Sequence, residues 1–448
     1  MTNHPKKAAA FWIGLYLFFV LLPLVLSQLG PVPAPRGFVA EVGIALGFVG
    51  LSMMGAQFAL TARFPSVAGS LGQDTMLQFH AQAGVIAFLF VLAHPILLIA
   101  SDPGYLSFFD PRVNAPRAFA LSTGMGALLL VVVLPLFRKR LGMAYEWWRF
   151  THGLLAAFVV MVGTAHVVMV GREGGYTSVL WKQAIWVALG VLAIALLLRM
   201  RILTPWLTTK KPYRVAENRE ETDDTRTLVL EAVGHEGMAF KPGQHAWLTL
   251  GGTPWTLAQH PFSFSSSATD PKRPAFTIKA LGDYTRSLDK VEPGATALLE
   301  GPYGAFHHEN DPTPNLAFIV GGIGVTPAMS MLRTISARGE TRGLVMLYAN
   351  KTPDRIVFKD ELEQMREELD LHLVHVLEDP GELADTTAIT EQGLITPDVI
   401  EKHAPPADDK SWTYYICGPE PMMNAAEHAL LDRGVDPGRI RSERFNIA

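Results

Sequence analysis

Six long apolar segments occupy the first 205 residues of this chain and constrain its fold more than any other feature. They cover residues 9–29, 38–60, 76–100, 117–137, 149–171 and 178–200. As a helix, each segment is long enough to cross about 30 Å of hydrocarbon, where only a helix satisfies its own backbone hydrogen bonds. The sequence therefore predicts a six-helix transmembrane bundle over residues 9–205, preceded by a short N-terminus at 1–8.

The basic residues predict which way this bundle faces. They precede the first segment and follow the fourth and sixth: Lys6, Lys7, Arg138, Lys139, Arg140, Arg199, Arg201, Lys210 and Lys211. Alternating spans place all of these on one side, and an excess of Lys and Arg marks the cytoplasmic side. We expect a multi-pass protein of the plasma membrane with its C-terminal half in the cytoplasm. A cleaved signal peptide at 1–29 is the competing interpretation, but the segment lacks a small-x-small cleavage site.

Four histidines lie inside two of the apolar segments at equal spacing. His80 and His94 are 14 residues apart in the third segment, as are His152 and His166 in the fifth. Fourteen residues correspond to about 21 Å of helix and return to within about 40° of the same face. The two segments run in the same direction, so His80 should face His152 and His94 should face His166. An imidazole on each side of a flat macrocycle gives six-coordinate haem iron.

Other functions could also place histidines in a membrane. Hydrogen bonding between helices, or metal or proton transport, would do so. Gly84 and Gly153, which lie near two of the histidines, would relieve crowding beside a macrocycle, although glycine is common in membrane helices. The single cysteine, Cys417, excludes an intramolecular disulfide and a cysteine-ligated iron–sulfur cluster. A net charge of −4 gives no indication of nucleic-acid binding.

The second half of the chain has the pattern of two soluble domains. Segments such as RTLVLEAV and HAWLTL are rich in β-formers, and Pro-Gly turns separate them, which predicts an antiparallel β-barrel domain over 212–305. From 312 to 448, the buried-type runs NLAFIV, GLVMLY, LHLVHV and TYYIC alternate with helical stretches. This alternation is typical of a doubly wound α/β domain with a parallel sheet.

The stretch YEWWRFTH (145–152), together with the paired histidines, resembles the ferric reductase-like transmembrane domain. NADPH oxidases, ferric-chelate reductases and their bacterial relatives share this domain. The resemblance implies that His80, His94, His152 and His166 hold two b-type haems. It would also place Arg149 near an inner haem propionate, although a positive-inside anchor explains this arginine equally well.

The stretch HPFSFSSSA (260–268) resembles the flavin signature of the ferredoxin-reductase-like superfamily. A serine-rich β-turn is the plainer explanation of the same string. The segment FTIKALGDYTRSL resembles the part of such barrels that meets the pyrophosphate, and GPYG (301–304) is a further match. The resemblance implies FAD, with Ser263 at the reactive N5 of the flavin. The implied FAD-binding residues are His260, Pro261, Phe262, Ser263, Ser265, Ser266, Lys279, Gly282 and Thr285.

The turn GGIGVTPAMSMLR follows the strand NLAFIV directly. Its glycines allow the backbone to approach a phosphate, and the next helix offers free N–H groups to an anion. Pro327 stands where a GxGxxG motif has its third glycine. The pattern GGxGxTP instead resembles the nicotinamide-nucleotide turn of the ferredoxin-reductase-like superfamily. The segment YICGPEPMM resembles that superfamily's CGPxxM segment, which lies beside the nicotinamide. The implied nucleotide-binding residues are Gly321, Gly322, Gly324, Thr326, Pro327, Cys417, Gly418 and Pro419.

Four residues carry more specific expectations. Cys417 is either a catalytic neighbour of the nicotinamide or a small buried filler. Lys351 and Arg355 follow the second strand of the α/β domain. They are either ligands of a 2′-phosphate, which favours NADPH over NADH as electron donor, or ordinary solvated charges. The terminal segment RSERFNIA makes Phe445 the residue that would stack on the flavin, although three residues follow it here and the aromatic is commonly terminal in the oxidases.

These features together predict a transmembrane NAD(P)H oxidase or ferric reductase-type enzyme. A hydride donor delivers two electrons while haem iron accepts one, so a flavin is needed between them. We expect electrons to reach oxygen, giving superoxide, or a ferric chelate at the outer side, where Arg112 and Arg117 could attract an anion. The expected partners are the lipid bilayer and this small-molecule acceptor, without nucleic acid or an obligatory protein activator. A membrane-anchored reductase that supplies a separate protein or quinone is the alternative, and a metal or proton carrier regulated by its reductase domain is a third.

Overall fold

The computed structural model describes residues 5–64, 72–251, 253–309, 311, 313–381 and 388–444. In this part of the chain, a helical bundle is followed by an antiparallel barrel and then by a parallel α/β domain. The predicted fold class is confirmed. The last strand of the barrel ends at Tyr303, and the first strand of the α/β domain begins at Asn315.

Six helices form the bundle, and all six are long and apolar enough to cross a membrane. They are α1 (Pro5–Ser27), α2 (Phe38–Thr61), α3 (Gln73–Ser101), α4 (Pro111–Phe137), α5 (Tyr145–Glu173) and α6 (Leu180–Leu198). A π-helical turn, Arg199–Leu203, and the short helix α7 (Thr204–Thr208) extend the last span. The expected segments lie within six residues of these bounds at both ends, which confirms a multi-pass membrane protein.

Helix α2 packs along α3 because glycines line the face between them. A Cβ at Gly43 would lie 3.1 Å from the Cβ of Leu97, and one at Gly50 would lie 2.7 Å from a methyl carbon of Val91. Small residues at such spacing allow two helix backbones to approach closely in a membrane. The two helices therefore form one tight layer of the bundle.

The barrel sheet has the strand order β4-β3-β6-β1-β2-β5. Its strands are β1 (Tyr213–Thr222), β2 (Thr225–Ala232), β3 (His245–Leu250), β4 (His260–Ser263), β5 (Ala275–Lys279) and β6 (Thr296–Tyr303), with the short helix α8 (Asp283–Arg286) after β5. An antiparallel bridge between Phe264, which follows β4, and Phe276 in β5 joins the two ends of this strand order. The sheet thus closes around an apolar core in which Phe240 stacks on Phe264 at 3.9 Å between ring centroids.

The α/β domain has six parallel strands in the order β10-β9-β8-β7-β11-β12. They are β7 (Asn315–Gly321), β8 (Leu344–Asn350), β9 (Leu371–Leu377), β10 (Ile389–Gln392), β11 (Trp412–Cys417) and β12 (Ile440–Ser442). The helices α9 (Val325–Arg338), α10 (Lys359–Glu368), α11 (Pro397–His403) and α12 (Glu420–Asp432) cover its two faces. Strand order reverses between β7 and β11, and open sheets of this kind bind ligands at that point.

A buried ion pair fastens the barrel to the bundle. Past the end of α2, Arg63 adopts a left-handed φ of 52°, and its guanidinium lies 2.9 Å from the carboxylate of Glu300. The same guanidinium stacks on Trp247 at 3.6 Å from the ring centroid, and Tyr303 donates a hydrogen bond to Glu300. Both charged side chains are less than one-tenth exposed, so removing either partner would leave a buried charge unpaired.

We expect Glu300→Gln to weaken this attachment by about 3 kcal/mol, because it leaves Arg63 charged and buried without its counter-ion. Thermal unfolding of the full chain in detergent, followed by tryptophan fluorescence, should show a lower midpoint. Arg112→Ala is the matched control, because its ion pair with Asp110 is exposed and surface pairs contribute little. Equal effects of the two substitutions would contradict the role given to the buried pair.

Candidate functional site

The structure brings the four membrane histidines together in two pairs. The ring centroids of His80 and His152 are 6.2 Å apart, and those of His94 and His166 are 6.1 Å apart. Arg149 and Glu146, one turn or more before His152, contact the barrel. We therefore call His80/His152 the proximal pair and His94/His166 the distal pair. The facing arrangement follows from the equal spacing on two parallel helices.

One hydrogen bond fixes which nitrogen of His94 is free. Its Nδ1 lies 2.9 Å from the carbonyl oxygen of Gly43. Since a carbonyl only accepts, Nδ1 must carry the hydrogen, and Nε2 keeps a lone pair for a metal. Gly47 lies beside the same ring, where a Cβ would stand 2.7 Å from Nδ1. The glycines of α2 thus position His94 on α3 in the tautomer whose Nε2 can bind a metal.

A cavity of about 630 Å³ surrounds the distal pair. This volume is within the range of about 300–1,000 Å³ that small-molecule and cofactor sites occupy. Its walls are mostly apolar, and it extends from His94 and His166 to Tyr105 and Tyr176, which lie beyond the helix ends. The distal pair therefore communicates with the side of the bundle that is opposite the barrel.

The two pairs fit the axial ligands of haem. Two metal–nitrogen bonds of about 2 Å, with the radii of two imidazole rings, place the ring centroids about 6 Å apart, as observed in both pairs. The Nδ1 atoms of His80 and His166 are buried without a hydrogen-bond partner, which is costly in an apolar bundle. Among the described residues, no group of three or more His, Cys, Asp or Glu side chains could hold a metal ion. A haem iron needs only two ligands from the protein, because the macrocycle supplies the others.

The expected flavin loop starts at β4 beside the membrane helices. His260 Nε2 is 3.3 Å from a carboxylate oxygen of Glu146 on α5, so this loop touches the bundle directly. Burial lowers the pKa of His260, and the neighbouring Glu146 acts in the opposite direction. The ring of Tyr284 stacks on His260 at 4.0 Å and lies parallel to Phe262 at 6.4 Å. The first residues of the signature therefore form an aromatic stack next to the proximal end of the bundle.

The serines of this loop have different surroundings. Ser263 is buried, and its hydroxyl has no hydrogen-bond partner, which leaves it free for a ligand. Ser265 accepts a hydrogen bond from Thr277 at 2.9 Å, and the Ser266 hydroxyl accepts one from the backbone N–H of Ala275 at 3.0 Å. The structure thus leaves Ser263 available and uses the hydroxyls of Ser265 and Ser266 within the barrel.

The segment expected near the pyrophosphate includes the start of α8. The Thr285 hydroxyl accepts hydrogen bonds from the backbone N–H groups of Leu281 and Gly282, at 2.9 Å each. Gly282 has open space where a side chain would stand. Lys279 points elsewhere, since its ammonium lies 3.3 Å from Asp224 in the β1–β2 turn. Gly282 and Thr285 thus shape one loop, and Lys279 belongs to a separate charged cluster.

The expected nucleotide turn lies at the reversal of strand order. Gly322 has a left-handed φ of 52°, and a Cβ at Gly324 would stand 2.3 Å from the carbonyl oxygen of Cys417. A Cβ at Gly321 would meet the sulfur of Met422 at 2.6 Å. Only glycine permits this approach of the β7 and β11 ends. Thr326 and Pro327 lie in the first turn of α9, where proline is favoured and backbone N–H groups remain free.

The second expected nucleotide segment lies beside this turn. Gly418 follows β11, and Pro419 precedes α12. The side chain of Cys417 is completely buried in the core beneath α9, as its alternative role as a small filler predicts. Phe445, the residue expected to stack on the flavin, lies outside the described residues.

Helix α9 holds the flavin loop against the nucleotide turn. The Ser330 hydroxyl donates to the carbonyl of Ser266 at 2.8 Å, and the backbone N–H of Ala268 donates to the Thr334 hydroxyl at 2.9 Å. Arg333 donates to the carbonyl of Ser265 and also pairs with Glu361 at 2.6 Å. One helix therefore begins at the nucleotide turn and fixes the loop that includes the flavin signature.

The arginines singled out in the membrane half have local partners. Arg149 donates to the barrel carbonyl of Leu257 at 3.1 Å, so it joins bundle to barrel. Arg112 pairs with Asp110 at 2.8 Å, and Arg117 stacks on Phe108 at 4.1 Å. Both arginines thus contact residues of the segment between α3 and α4.

Sequence reasoning missed three contributors to the site. Tyr284 was overlooked although it lies between Gly282 and Thr285 in a quoted segment. Gly47 and Arg63 carry no motif, because their roles depend on which helix packs beside them. For Gly47, the sequence offered one signal, which is a glycine repeat at helical spacing on α2 (Gly43, Gly47, Gly50).

Two family models match the chain. Residues 46–164 match the ferric reductase like transmembrane component, and residues 318–428 match the oxidoreductase NAD-binding domain. The first match contains His80, His94 and His152 and ends two residues before His166, and the second contains the nucleotide turn and the segment after β11. The chain therefore contains a segment similar to a ferric reductase-like transmembrane component and a segment similar to an oxidoreductase NAD-binding domain.

Curated relatives match about half of the chain. The glycine betaine monooxygenase reductase subunit of Pseudomonas aeruginosa is 29% identical over 54% of this chain and 65% of its own length. The propane 2-monooxygenase reductase component of Rhodococcus jostii is 32% identical over 52% of this chain and 62% of its own length. The chain thus spans less than two thirds of these relatives. The FAD/NAD binding domain of nitric oxide dioxygenase from Vibrio cholerae aligns with 52% of this chain and 97% of its own, at 23% identity and a TM-score of 0.45.

We expect Gly47→Ala to displace the His94 ring, since the added methyl group would overlap Nδ1 and break the hydrogen bond to Gly43. Overpacking of this kind costs about 1–3 kcal/mol, and the thermal unfolding midpoint in detergent should fall. Gly126→Ala on α4 is the matched control, because a Cβ there meets nothing within 4 Å. A control that is as destabilised as Gly47→Ala would contradict this packing argument.

Proposed function

We propose that this chain, which joins a ferric reductase-like transmembrane domain to an oxidoreductase NAD-binding domain, carries electrons across a membrane. The donor is NAD(P)H, the carriers are FAD and two b-type haems, and the acceptor is a small molecule on the side opposite the barrel. The single observation that carries the proposal is the separation of about 6 Å between facing imidazoles in both histidine pairs. Histidines that only form hydrogen bonds to neighbouring helices would not be expected to show the same separation in two pairs.

The histidine pairs would hold the haems, with His80 and His152 binding one and His94 and His166 the other. When bound, FAD takes two electrons from the nicotinamide and passes them on singly to haem iron. The Gly43 carbonyl keeps Nε2 of His94 unprotonated and aimed away from α2. The pairs are about 21 Å apart along the helices, which spans most of the hydrocarbon thickness.

The soluble residues would bring the nucleotide and flavin into contact. The turn at Gly322 and Gly324 offers backbone N–H groups and a helix N-terminus to the pyrophosphate. The Ser263 hydroxyl, buried and unpaired, is the side chain that would reach the flavin ring. Because His260 contacts Glu146 on α5, the flavin loop is joined to the same helix that carries His152. Hydride acceptor and proximal pair are therefore parts of one connected structure.

The acceptor site is proposed from the distal cavity. It leads from His94 and His166 to the loops opposite the barrel, so a small molecule could approach the distal haem without crossing the bundle. Oxygen, giving superoxide, and a ferric chelate both suit such a site. With the basic residues in the cytoplasm, this is the outer side of the plasma membrane. No protein activator is part of the proposal.

A second candidate function has support from the relatives. Those from Pseudomonas aeruginosa and Rhodococcus jostii are named as reductase components of monooxygenases, so this chain could supply electrons to a separate protein or quinone. Such a chain would reduce its haems but would transfer electrons to oxygen or ferric chelate slowly until its partner was added.

Anaerobic addition of NADH or NADPH to the purified, FAD-supplemented chain tests the main proposal. Reduction of b-type haem, seen in the visible spectrum, followed by reoxidation with oxygen or ferric chelate, is expected. Reduction of the flavin alone would count against the proposed path. Haem that stays reduced in air would favour the second candidate.

We expect His94→Leu to lower the haem content from two groups per chain to one, because one of the two histidines that would hold the distal group is lost. Extraction of the haem and measurement as its pyridine complex would give the ratio. His428→Leu on α12 is the matched control, since this histidine is exposed and distant from the bundle in the fold. An unchanged ratio in His94→Leu would exclude His94 as a ligand.

A further inference from the structure

The loop after β8 contains an arginine that is already bound by the other soluble domain. Arg355 Nη1 lies 2.5 Å from a carboxylate oxygen of Asp223 and 2.9 Å from one of Asp224. Both aspartates belong to the β1–β2 turn of the barrel. Its Nε also lies 3.5 Å from Asp354. Three carboxylates therefore surround one guanidinium at the junction of barrel and α/β domain.

This arrangement changes what Arg355 can do. In doubly wound domains, an arginine near the end of the second strand accommodates the 2′-phosphate of NADP, whereas a carboxylate binds the 2′-hydroxyl of NAD. A phosphate would have to take Arg355 away from Asp223 and Asp224, and its own negative charge would be repelled by them. The arginine is two-thirds buried in its present position. Its geometry is that of a clamp between domains.

The remaining groups at the carboxyl end of β8 are mainly acidic. Lys351 is exposed. The backbone N–H groups of Glu378 and Asp379 donate to the carbonyls of Asn350 and Lys351, at 3.1 Å and 2.8 Å, which brings these two acidic residues alongside. The carboxylate of Asp354 is 72% exposed. One lysine thus stands among several carboxylates, an environment that repels a phosphate dianion.

Asn350 adds an observation that points to a ligand. Its side chain is only 8% exposed, and its Nδ2 has no hydrogen-bond partner. The Asn350 amide N–H can donate a hydrogen bond, and the nearby carboxylates can accept one. The hydroxyls of a ribose both donate and accept, so a ribose diol would match these groups. This strand end is also adjacent to β7 and its glycine turn.

We infer that the chain selects NADH over NADPH, and that Arg355 clamps the α/β domain to the barrel instead of binding a 2′-phosphate. The inference rests on the proposed function, in which the β7–α9 turn binds a nicotinamide dinucleotide. It reverses the preference for NADPH that Lys351 and Arg355 suggest from sequence. Asp223 and Asp224 act on nucleotide choice by holding Arg355 and by repelling a phosphate.

The test is anaerobic stopped-flow reduction of the flavin in the full-length, FAD-loaded chain in detergent. The second-order rate constant for NADH should exceed that for NADPH by about tenfold or more, in line with loss of one charged contact. Asp223→Asn with Asp224→Asn should raise the NADPH rate constant several-fold by freeing Arg355. The NADH rate constant should stay within about threefold, since a ribose diol makes no use of this arginine. Glu367→Gln with Glu368→Gln is the matched control, which removes two exposed carboxylates from α10.

The outcomes separate the inference from the function it rests on. Equal rate constants, or a preference for NADPH that Arg355→Ala abolishes, would overturn the inference and leave the proposed electron path intact. A preference for NADH without any NADPH gain in the double aspartate variant would overturn the clamp. If neither nucleotide reduced a flavin that is demonstrably bound, the proposed function would fail, and the inference with it.

Discussion

The apolar interior of the bundle is the constraint on which the rest of the structure depends. A polar group in hydrocarbon is costly unless something pairs with it, and this bundle holds four imidazoles in two matched pairs. The same constraint applies to Gln57, whose amide is 7% exposed and has no partner at either atom. It lies on the α2 face that carries Gly47 and Gly50, between the levels of the two pairs. Gln57 thus leaves an unpaired amide inside the bundle, as His80 and His166 leave unpaired ring nitrogens.

The junction between membrane and soluble halves solves a second problem, which is to hold two domains rigidly without a large apolar interface. It uses charge enclosed by aromatic rings. Arg63 lies between Glu300 and Trp247, Arg149 reaches the carbonyl before the flavin loop, and His245 contacts Gln73 of α3 at 2.7 Å. Fixed geometry matters here because electron transfer depends on the distance between carriers, whereas a flexible tether would vary it.

Much of this fold could be predicted from the sequence, because its strongest signals are local. Apolar length indicated the six helices, and the 14-residue spacing predicted that His80 faces His152. The runs NLAFIV and TYYIC became β7 and β11. By contrast, β1 is rich in charged residues and has no apolar run, so only its pairing with β2 and β6 makes it a strand. Arg355 shows the same limit, since its partners are more than one hundred residues away in sequence.

Motifs and contacts therefore inform different parts of the function. The motifs predict which groups a site can bind, because glycine turns and histidine spacing follow from backbone geometry. Selectivity depends on which charges are already neutralised, and that is a property of the assembled domains. Lys279 and Arg355 both look like phosphate ligands in sequence, yet both pair with Asp224. Of these two cations, Lys279 pairs within the barrel, whereas Arg355 joins the α/β domain to the barrel.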